Sequence, residues 1–379
     1  MPSGALSGHT ESVKTYHAES ARAGLQAAAV AGLSWEDFCL AAIELLDRAV
    51  PNDGICLGPA DPATSLLVGR VKTRMQDVDE LAFLEHEYGV DDINRFSDLA
   101  RREVGVSILA EATQGRPGLS TRHRLLLEAS GLEHEMRGTL RSEARMWGFY
   151  TIYRHSGRSG FSPAEAEFMH RLEPMLAAGL RRGLISTDVN RQQRSQGAAV
   201  VIVNAADQVI SATEAAEERV ADLGGEMWSR LPVPVKVVIT AARGIPGQPA
   251  QVPRVRLRTQ SGQWVSVHAA PVRGPEGVTS DIAVTIENAG AAAIIPLVVA
   301  AYGLTERERG VVQQVLSGAS TAEIAGRLHL SPYTVQDHLK AVFDKTGVSS
   351  RRELQSRIFF EHYAGRMENE LDANGWLGE

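Results

Sequence analysis

The sequence predicts an α+β multidomain chain that ends in an all-α four-helix head. Three observations carry this prediction. The 379 residues suffice for two or three domains of ordinary size. Up to about residue 288, β-branched strand-like runs are interspersed with amphipathic helical stretches. Beyond residue 303 the pattern is helical throughout, and nearly every helix end carries a start or stop signal.

Composition narrows the function classes. Lys and Arg total 39 against 46 Asp and Glu, a formal charge of −7, with 44% hydrophobic and 22% charged residues. These are the proportions of a soluble globular protein; wholesale disorder, collagen and a disulfide scaffold are excluded. With no basic footprint over the whole chain, a nucleic-acid partner must be met by one local surface. Cys39 and Cys56 sit in apolar contexts and read as buried thiols in a reducing, cytoplasmic setting. The first 17 residues lack the apolar core of a signal peptide. The uncharged stretch 288–305 is interrupted by Pro296 and falls short of the ~20 strongly apolar residues of a membrane span. All basic side chains except five lysines are arginine, a bias of GC-rich bacterial genomes.

Residues 1–17 read as a flexible arm. From Ala18 to Pro51 the pattern is helical, with Leu25, Ala28, Ala29 and Leu33 on one face. A second run follows, capped by Ser34 and burying Phe38, Ile43, Leu45 and Leu46. Strands are expected at Ile55–Leu57, Ser65–Val71, Val106–Leu109, Met136–Leu140 and Met146–Tyr153, with helices around Val78–Tyr88 and Asp91–Arg101. Ser162–Pro163 opens a helix running to near Leu184. This order predicts a helix-flanked antiparallel-sheet domain over 18–185. Residues 186–196 are polar and read as a linker. Residues 197–288 show two β-branched runs around a turn at Asn204–Asp207, a short helix Glu214–Leu223, and strands Val255–Arg258, Trp264–Ala269 and Ile282–Ile286. That is the order of a small PAS-like α/β domain. Residues 289–302 read as a connector and 364–379 as an acidic tail.

Residues 303–363 are the most informative. Thr305 with Glu308, Ser320 with Glu323 and Ser350 with Glu353 have capping-box spacing, and Ser331–Pro332 is a fourth start. Gly318 and Gly347 stand where C′ glycines end helices. Four helices follow, at about 306–317, 321–328, 332–346 and 351–362. The second and third are joined by only His329, Leu330 and Ser331, a helix-turn-helix connection. Burying Val312, Val315, Leu316, Ile324, Ala325, Leu328, Val335, Leu339, Val342, Phe343, Leu354 and Ile358 leaves Tyr333, Gln336, Asp337, Lys340 and Asp344 on the open face of the third helix. Such a helix fits the major groove, where Gln favours adenine and Lys favours guanine. Thr334, Lys345, Arg351, Arg352 and Arg357 are placed to hold phosphates. A carboxylate at Asp337 is repelled by DNA unless it takes a cytosine amino proton, which keeps an alternative open: a protein-interaction adaptor whose helix-turn-helix does not bind DNA.

These positions resemble the LuxR-type helix-turn-helix over about 60 residues: Leu304-Thr-Glu-Arg-Glu, Gly318-x-Ser320-x-x-Glu323-Ile324-Ala325, Ser331-x-x-Thr334-Val335-x-x-His338, and Lys345-x-Gly347-Val348-x-x-Arg351-x-Glu353-Leu354. The resemblance implies a bacterial transcription regulator that binds inverted-repeat operators in double-stranded DNA as a homodimer, with RNA polymerase as a further partner. Carried over, Thr334, Gln336, Asp337 and Lys340 occupy DNA-contact positions. The family often has Lys where this chain has Gln336, so its half-site sequences do not carry over. The stretches EYGVDDINRFSDLAR, GFYTIYRHSG and FSPAEAEFM resemble a GAF-like sensor, and VVIVNAADQVISAT a PAS-like one, of actinobacterial-like regulators.

No enzyme signature occurs: there is no Walker A loop, GxGxxG, HExxH, CxxC pair or nucleophile elbow. No catalytic residue, metal or cofactor is expected. A small-molecule ligand of the sensor half is unidentified. His86 and His134 read as solvent-facing helical residues, Cys56 as a packed strand cysteine, and Trp147, Phe149, Tyr150, Tyr153, Trp228 and Trp264 as packing residues. Within 331–357, the basic Lys340, Lys345, Arg351, Arg352 and Arg357 face the acidic Asp337, Asp344 and Glu353. This thin surplus predicts modest non-specific affinity and tight binding only with two heads on a matching site.

Overall fold

The computed structural model describes residues 17–75, 79–186, 198–245, 253–275 and 277–358. The expected linker beyond Ser186, the acidic tail and all of the arm but His17 lie outside them. The chain divides into two compact units, Met1–Glu287 and Asn288–Glu379.

The first unit holds two five-stranded sheets. Helices α1 (17–28) and α2 (Trp35–Ala49) precede β1 (Gly54–Pro59) and β2 (Val71–Thr73). Then come α3 (Glu80–Leu84), a π-helical turn (Glu85–Gly89), α4 (Phe96–Leu99), β3 (Val106–Ile108), α5 (Leu109–Ala112), β4 (Leu132–Ser142), β5 (Arg145–His155) and α6 (Pro163–Ile185). The sheet order is β2-β1-β5-β4-β3, antiparallel throughout. The register places Met136 opposite Ile152 and Cys56 opposite Thr151. Strand alternation therefore turns Ile55, Leu57, Met136, Leu140, Tyr150 and Ile152 to one face. There they share a core with Leu25, Phe38 and Leu46 of the first two helices and with Leu172, Leu176 and Leu180 of α6. Gly179 makes this packing close: a Cβ there would lie 2.0 Å from the Phe38 ring. As expected, Ser34 caps α2 and Ser162 caps α6, the latter in a full capping box with Glu165.

Several expectations fail locally. Of Ser65–Val71, only Val71, the start of β2, is in a strand. The Asp61 carboxylate accepts from the Ala63 N–H and Ser65 sits at φ 59, so the chain turns there and keeps only one bridge, Ala60 to Leu67. The helix expected over Asp91–Arg101 shrinks to α4, because the Asp92 carboxylate accepts from the Thr121 and Arg122 N–H groups and Asn94 is left-handed at φ 60. The helix near Val78–Tyr88 is α3 with the π-helical turn; Val78 is outside the described residues.

The second sheet comprises β6 (Ala199–Val203), β7 (Val209–Ala212), α7 (Glu214–Asp222), α8 (Val233–Arg243), β8 (Arg254–Arg258), β9 (Trp264–Gly274) and β10 (Gly277–Asn288), in the order β7-β6-β10-β9-β8. It thus repeats the strand order of the first. The expected turn closes through Asn204, whose Oδ1 accepts from the Ala206 and Gln208 N–H groups. Helix α8 was not expected. Its Val- and Ile-rich sequence has strand propensity, but Pro232 and Pro234 open it and burial of Val235, Val237, Val238, Ile239 and Ala242 overrides propensity. The two sheets are tied together. Arg256 donates to the buried Asp61 carboxylate through its backbone N, Nε and Nη2 at 2.9, 2.9 and 2.6 Å, and Arg258 Nη1 donates to the Ser186 carbonyl.

The second unit is helical: α9 (Ala291–Ala301), α10 (Glu306–Leu316), α11 (Thr321–Leu328), α12 (Pro332–Thr346) and α13 (Arg351–Ser356). The segment expected as a connector is thus largely α9, and its Ile295, Val299 and Tyr302 pack into the core of this unit. No helix among the described residues is long and apolar enough to cross a membrane.

Candidate nucleic-acid interface

Capping punctuates the second unit nearly as its sequence predicts. The Thr305 and Ser320 side chains accept from the Glu308 and Glu323 N–H groups, and both glutamates return the bond to the cap residue's N–H. Ser331 caps α12 from the Thr334 N–H, with Pro332 in the first turn. The third box is only half formed. Ser350 caps α13, but the Glu353 carboxylate reaches one residue further back, to the Ser349 N–H and hydroxyl. The connection between α11 and α12 turns at His329, left-handed at φ 54, and Gly347 ends α12 at φ 66.

All twelve side chains expected inside are buried or half-buried in one core, which Val299, Leu304, Val311 and Ala319 complete. Packing Val335, Leu339 and Val342 inward fixes the rotation of α12. Its opposite face carries Tyr333, 74% exposed, with Gln336, Asp337, Lys340 and Asp344 also exposed. Tyr333, Gln336, Asp337 and Lys340 succeed one another at helical i, i+3, i+4 and i+7 spacing, and none makes a side-chain hydrogen bond or ion pair among the described residues. A row of open donors and acceptors on one exposed helix face can meet base edges.

The other predicted contact residues are engaged within the unit. The Thr334 and Ser331 hydroxyls bond each other at 2.8 Å. Lys345 Nζ lies 2.7 Å from Glu308 Oε2. Arg351 donates to the Ala319 carbonyl at 2.9 Å and to Thr321 Oγ1 at 2.8 Å, and Arg357 donates to the Thr346 carbonyl at 2.6 Å. Arg352 is exposed. Burial alone would raise the Glu308 carboxyl, but hydrogen bonds from Lys345 and the Thr305 N–H outweigh it and hold it below the usual carboxylate range. The capping pattern foreshadows the Thr305 bond. Nothing in sequence signals the bond to Lys345, 37 positions away.

In the first unit Cys39 and Cys56 are buried, and burial pushes the Cys56 thiol up to about 11. Trp147, Phe149, Tyr150, Tyr153 and Trp264 are buried as expected. Three assignments are corrected. Trp228 is 64% exposed, its indole N–H donating to Glu217 on α7 instead of packing. His86 is buried in the π-helical turn rather than solvent-facing, and burial lowers its pKa. His134 lies on β4, not a helix, with Nε2 2.9 Å from the Arg158 carbonyl. No group of three His, Cys, Asp or Glu residues suited to a metal occurs among the described residues.

Residues 303–357 match the family described as bacterial regulatory proteins, luxR family. The transcriptional regulatory protein UhpA of Escherichia coli is 45% identical over 56 residues, 15% of this chain and 29% of the relative. The monoamine regulon transcriptional regulator of Klebsiella aerogenes is 46% identical over 56 residues, 15% of this chain and 25% of the relative. The chain therefore spans under a third of the length of these curated relatives. Among solved structures, the phycocyanobilin-bound GAF domain from a cyanobacterial phytochrome is 16% identical, covering 45% of this chain and 97% of that one, with a TM-score of 0.32. The Vibrio cholerae VqmA–ligand–DNA complex is 15% identical, covering 42% and 80%, with a TM-score of 0.20. The C-terminal unit thus carries a LuxR-family helix-turn-helix of the kind found in transcriptional regulators.

Proposed function

We propose that this chain is a cytoplasmic, sequence-specific transcriptional regulator that binds inverted-repeat operators as a homodimer. The observation that carries the reading is the open face of α12, where Tyr333, Gln336, Asp337 and Lys340 stand exposed without partners in a unit whose sequence matches luxR-family regulators. Gln336 and Lys340 read bases, Asp337 accepts from a cytosine amino group, and Thr334 and the N-terminal turn of α12 approach phosphate. Lys345 serves chiefly to set α12 against α10 and Arg351 to set α13 against the start of α11, and they reach phosphate only from those anchored positions.

The first unit is the sensor. Its first sheet, backed by α1, α2 and α6, supports the GAF-like reading. The order strand, strand, helices and three strands in the second supports the PAS-like one. A signal there biases two copies between binding-competent and incompetent states, and the bound regulator then acts on RNA polymerase. Footprinting of the full chain across genomic DNA tests this. A protected inverted repeat is expected; its absence at every salt concentration overturns the reading.

A further inference from the structure

The second face of the first sheet is charged where a sheet interior is ordinarily hydrocarbon. Alternation turns Glu135, Arg137, Phe149 and Tyr153 away from the α2–α6 core, and all four are buried. Arg122 satisfies Glu135 with two bonds, from Nε at 3.1 Å and Nη2 at 2.7 Å, and gives a further Nη2 bond to the Ile93 carbonyl.

Arg137 is served less well. Its side chain is wholly buried, with its guanidinium carbon 3.9 Å from the Phe96 ring centroid and 5.6 Å from that of Phe83. Glu87 Oε2 takes one donor, Nη2, at 2.6 Å. The other Glu87 oxygen accepts from the Phe96 N–H at 2.7 Å, and neither oxygen meets a second Arg137 donor. Arg137 Nε and Nη1 are buried with no hydrogen-bond partner among the described residues, as are Asn94 Nδ2 and His86 Nδ1 nearby in sequence to Glu87 and Phe96. Unmet donors on a buried charge are costly, and folded proteins rarely keep them.

We propose that Arg137 anchors a binding site for a small carboxylate, and that Glu87 occupies part of that site as an internal competitor. With Glu87 displaced from Nη2, a guanidinium covered by aromatic rings offers its Nε–Nη2 edge, and a planar monoanionic carboxylate matches that edge with two acceptors. A phosphate dianion would bring a second charge beside Glu87 and Glu135. Burial pushes the Glu87 carboxyl up, which marks it as a reluctant partner. Glu87 also lies on the π-helical turn, a rare geometry that recurs at functional sites. That turn ends at Gly89, where a Cβ would come 4.0 Å from Thr240 of α8. Displacing Glu87 therefore moves a turn that lies against the second sheet's helix.

The test uses the full chain and sodium acetate as probe, against sodium chloride at matched ionic strength, with binding read by saturation-transfer NMR of the acetate methyl group. Saturable binding is expected, at least tenfold tighter in Glu87→Gln, which keeps the side chain's shape and removes the competing charge. Arg137→Lys, which keeps the charge and loses the fork, is expected to abolish it. Should Arg137→Lys fail to fold, Glu87→Gln alone decides. Acetate affinity unchanged by Glu87→Gln, or no saturable binding in either protein, overturns the proposal and leaves water as the acceptor for Arg137. The outcome is independent of DNA binding.

Discussion

Glu308 joins two roles in one side chain. It completes the cap of α10 and holds the Lys345 ammonium at the far end of α12. Glu308→Gln keeps an acceptor for the Thr305 N–H but loses the charge opposite Lys345, and should cost about 0.2–1 kcal/mol, seen as faster hydrogen exchange over residues 305–316. Because the folded carboxyl titrates below its unfolded value, its stabilisation is present above the unfolded pKa and is lost as pH falls through the folded one. The wild-type amides should therefore lose protection on acidification more steeply than those of the variant. On the open face, Gln336→Ala should relax discrimination at one base position by about 1–3 kcal/mol if its contact is bidentate, and Lys340→Ala should weaken binding, both measured against operator variants at fixed salt. Asp337 explains why charge alone is a poor guide to such a face: its worth depends on the base opposite. The thiols make a simpler residue-scale statement. With Cys56 buried and its pKa pushed up to about 11, iodoacetamide at neutral pH should label neither cysteine until the chain unfolds.

At the scale of elements, caps were the most legible feature because they are local. A hydroxyl bonding an N–H three residues on needs no distant partner, so helix ends at Thr305, Ser320 and Ser331 could be placed from sequence. The stop at Gly347 is equally local. Gly347→Ala forces a Cβ into φ 66 and to 3.1 Å from Arg357 Nη1, and should cost roughly 1–2 kcal/mol, read from the thermal midpoint of the helical unit. Elements decided by distant contacts were misread. The helix expected at Asp91–Arg101 shortens because Asp92 binds N–H groups 29 and 30 positions away. The strand-like run of α8 becomes helical because both its flanks are buried. His86 was misplaced for a related reason: Glu85-His86-Glu87 looks like a solvated stripe, but Arg137, 50 positions on, draws Glu87 inside.

For the whole molecule, the two sheets behave as one compact unit, and the Asp61–Arg256 pair ties residues 195 positions apart within it. Removing one partner of a buried pair costs about 3–5 kcal/mol, so Asp61→Ala should destabilise this unit by that amount, read as a lower urea midpoint, and leave the helical unit's transition in place. If both transitions move together, the units are energetically one. In the proposed homodimer, the thin positive surplus of the reading head should yield a salt dependence set by few phosphate contacts, measured as the slope of log affinity against log salt.

Sequence by itself determined the helical head: its four starts, its tight three-residue turn, its apolar set and the row Tyr333, Gln336, Asp337 and Lys340 that this set leaves outside. Each depends on spacings of three or four residues, which helical geometry converts directly into faces. Only the tertiary structure decided which basic side chains remain open, since Lys345 and Arg351 are engaged by Glu308, Ala319 and Thr321 from other parts of the unit. It alone showed the charged face of the first sheet and the shared strand order of the two sheets. A strand's partner, and the interior into which an ionised side chain can be drawn, are set by contacts between residues far apart in the chain, and neither periodicity nor composition records them.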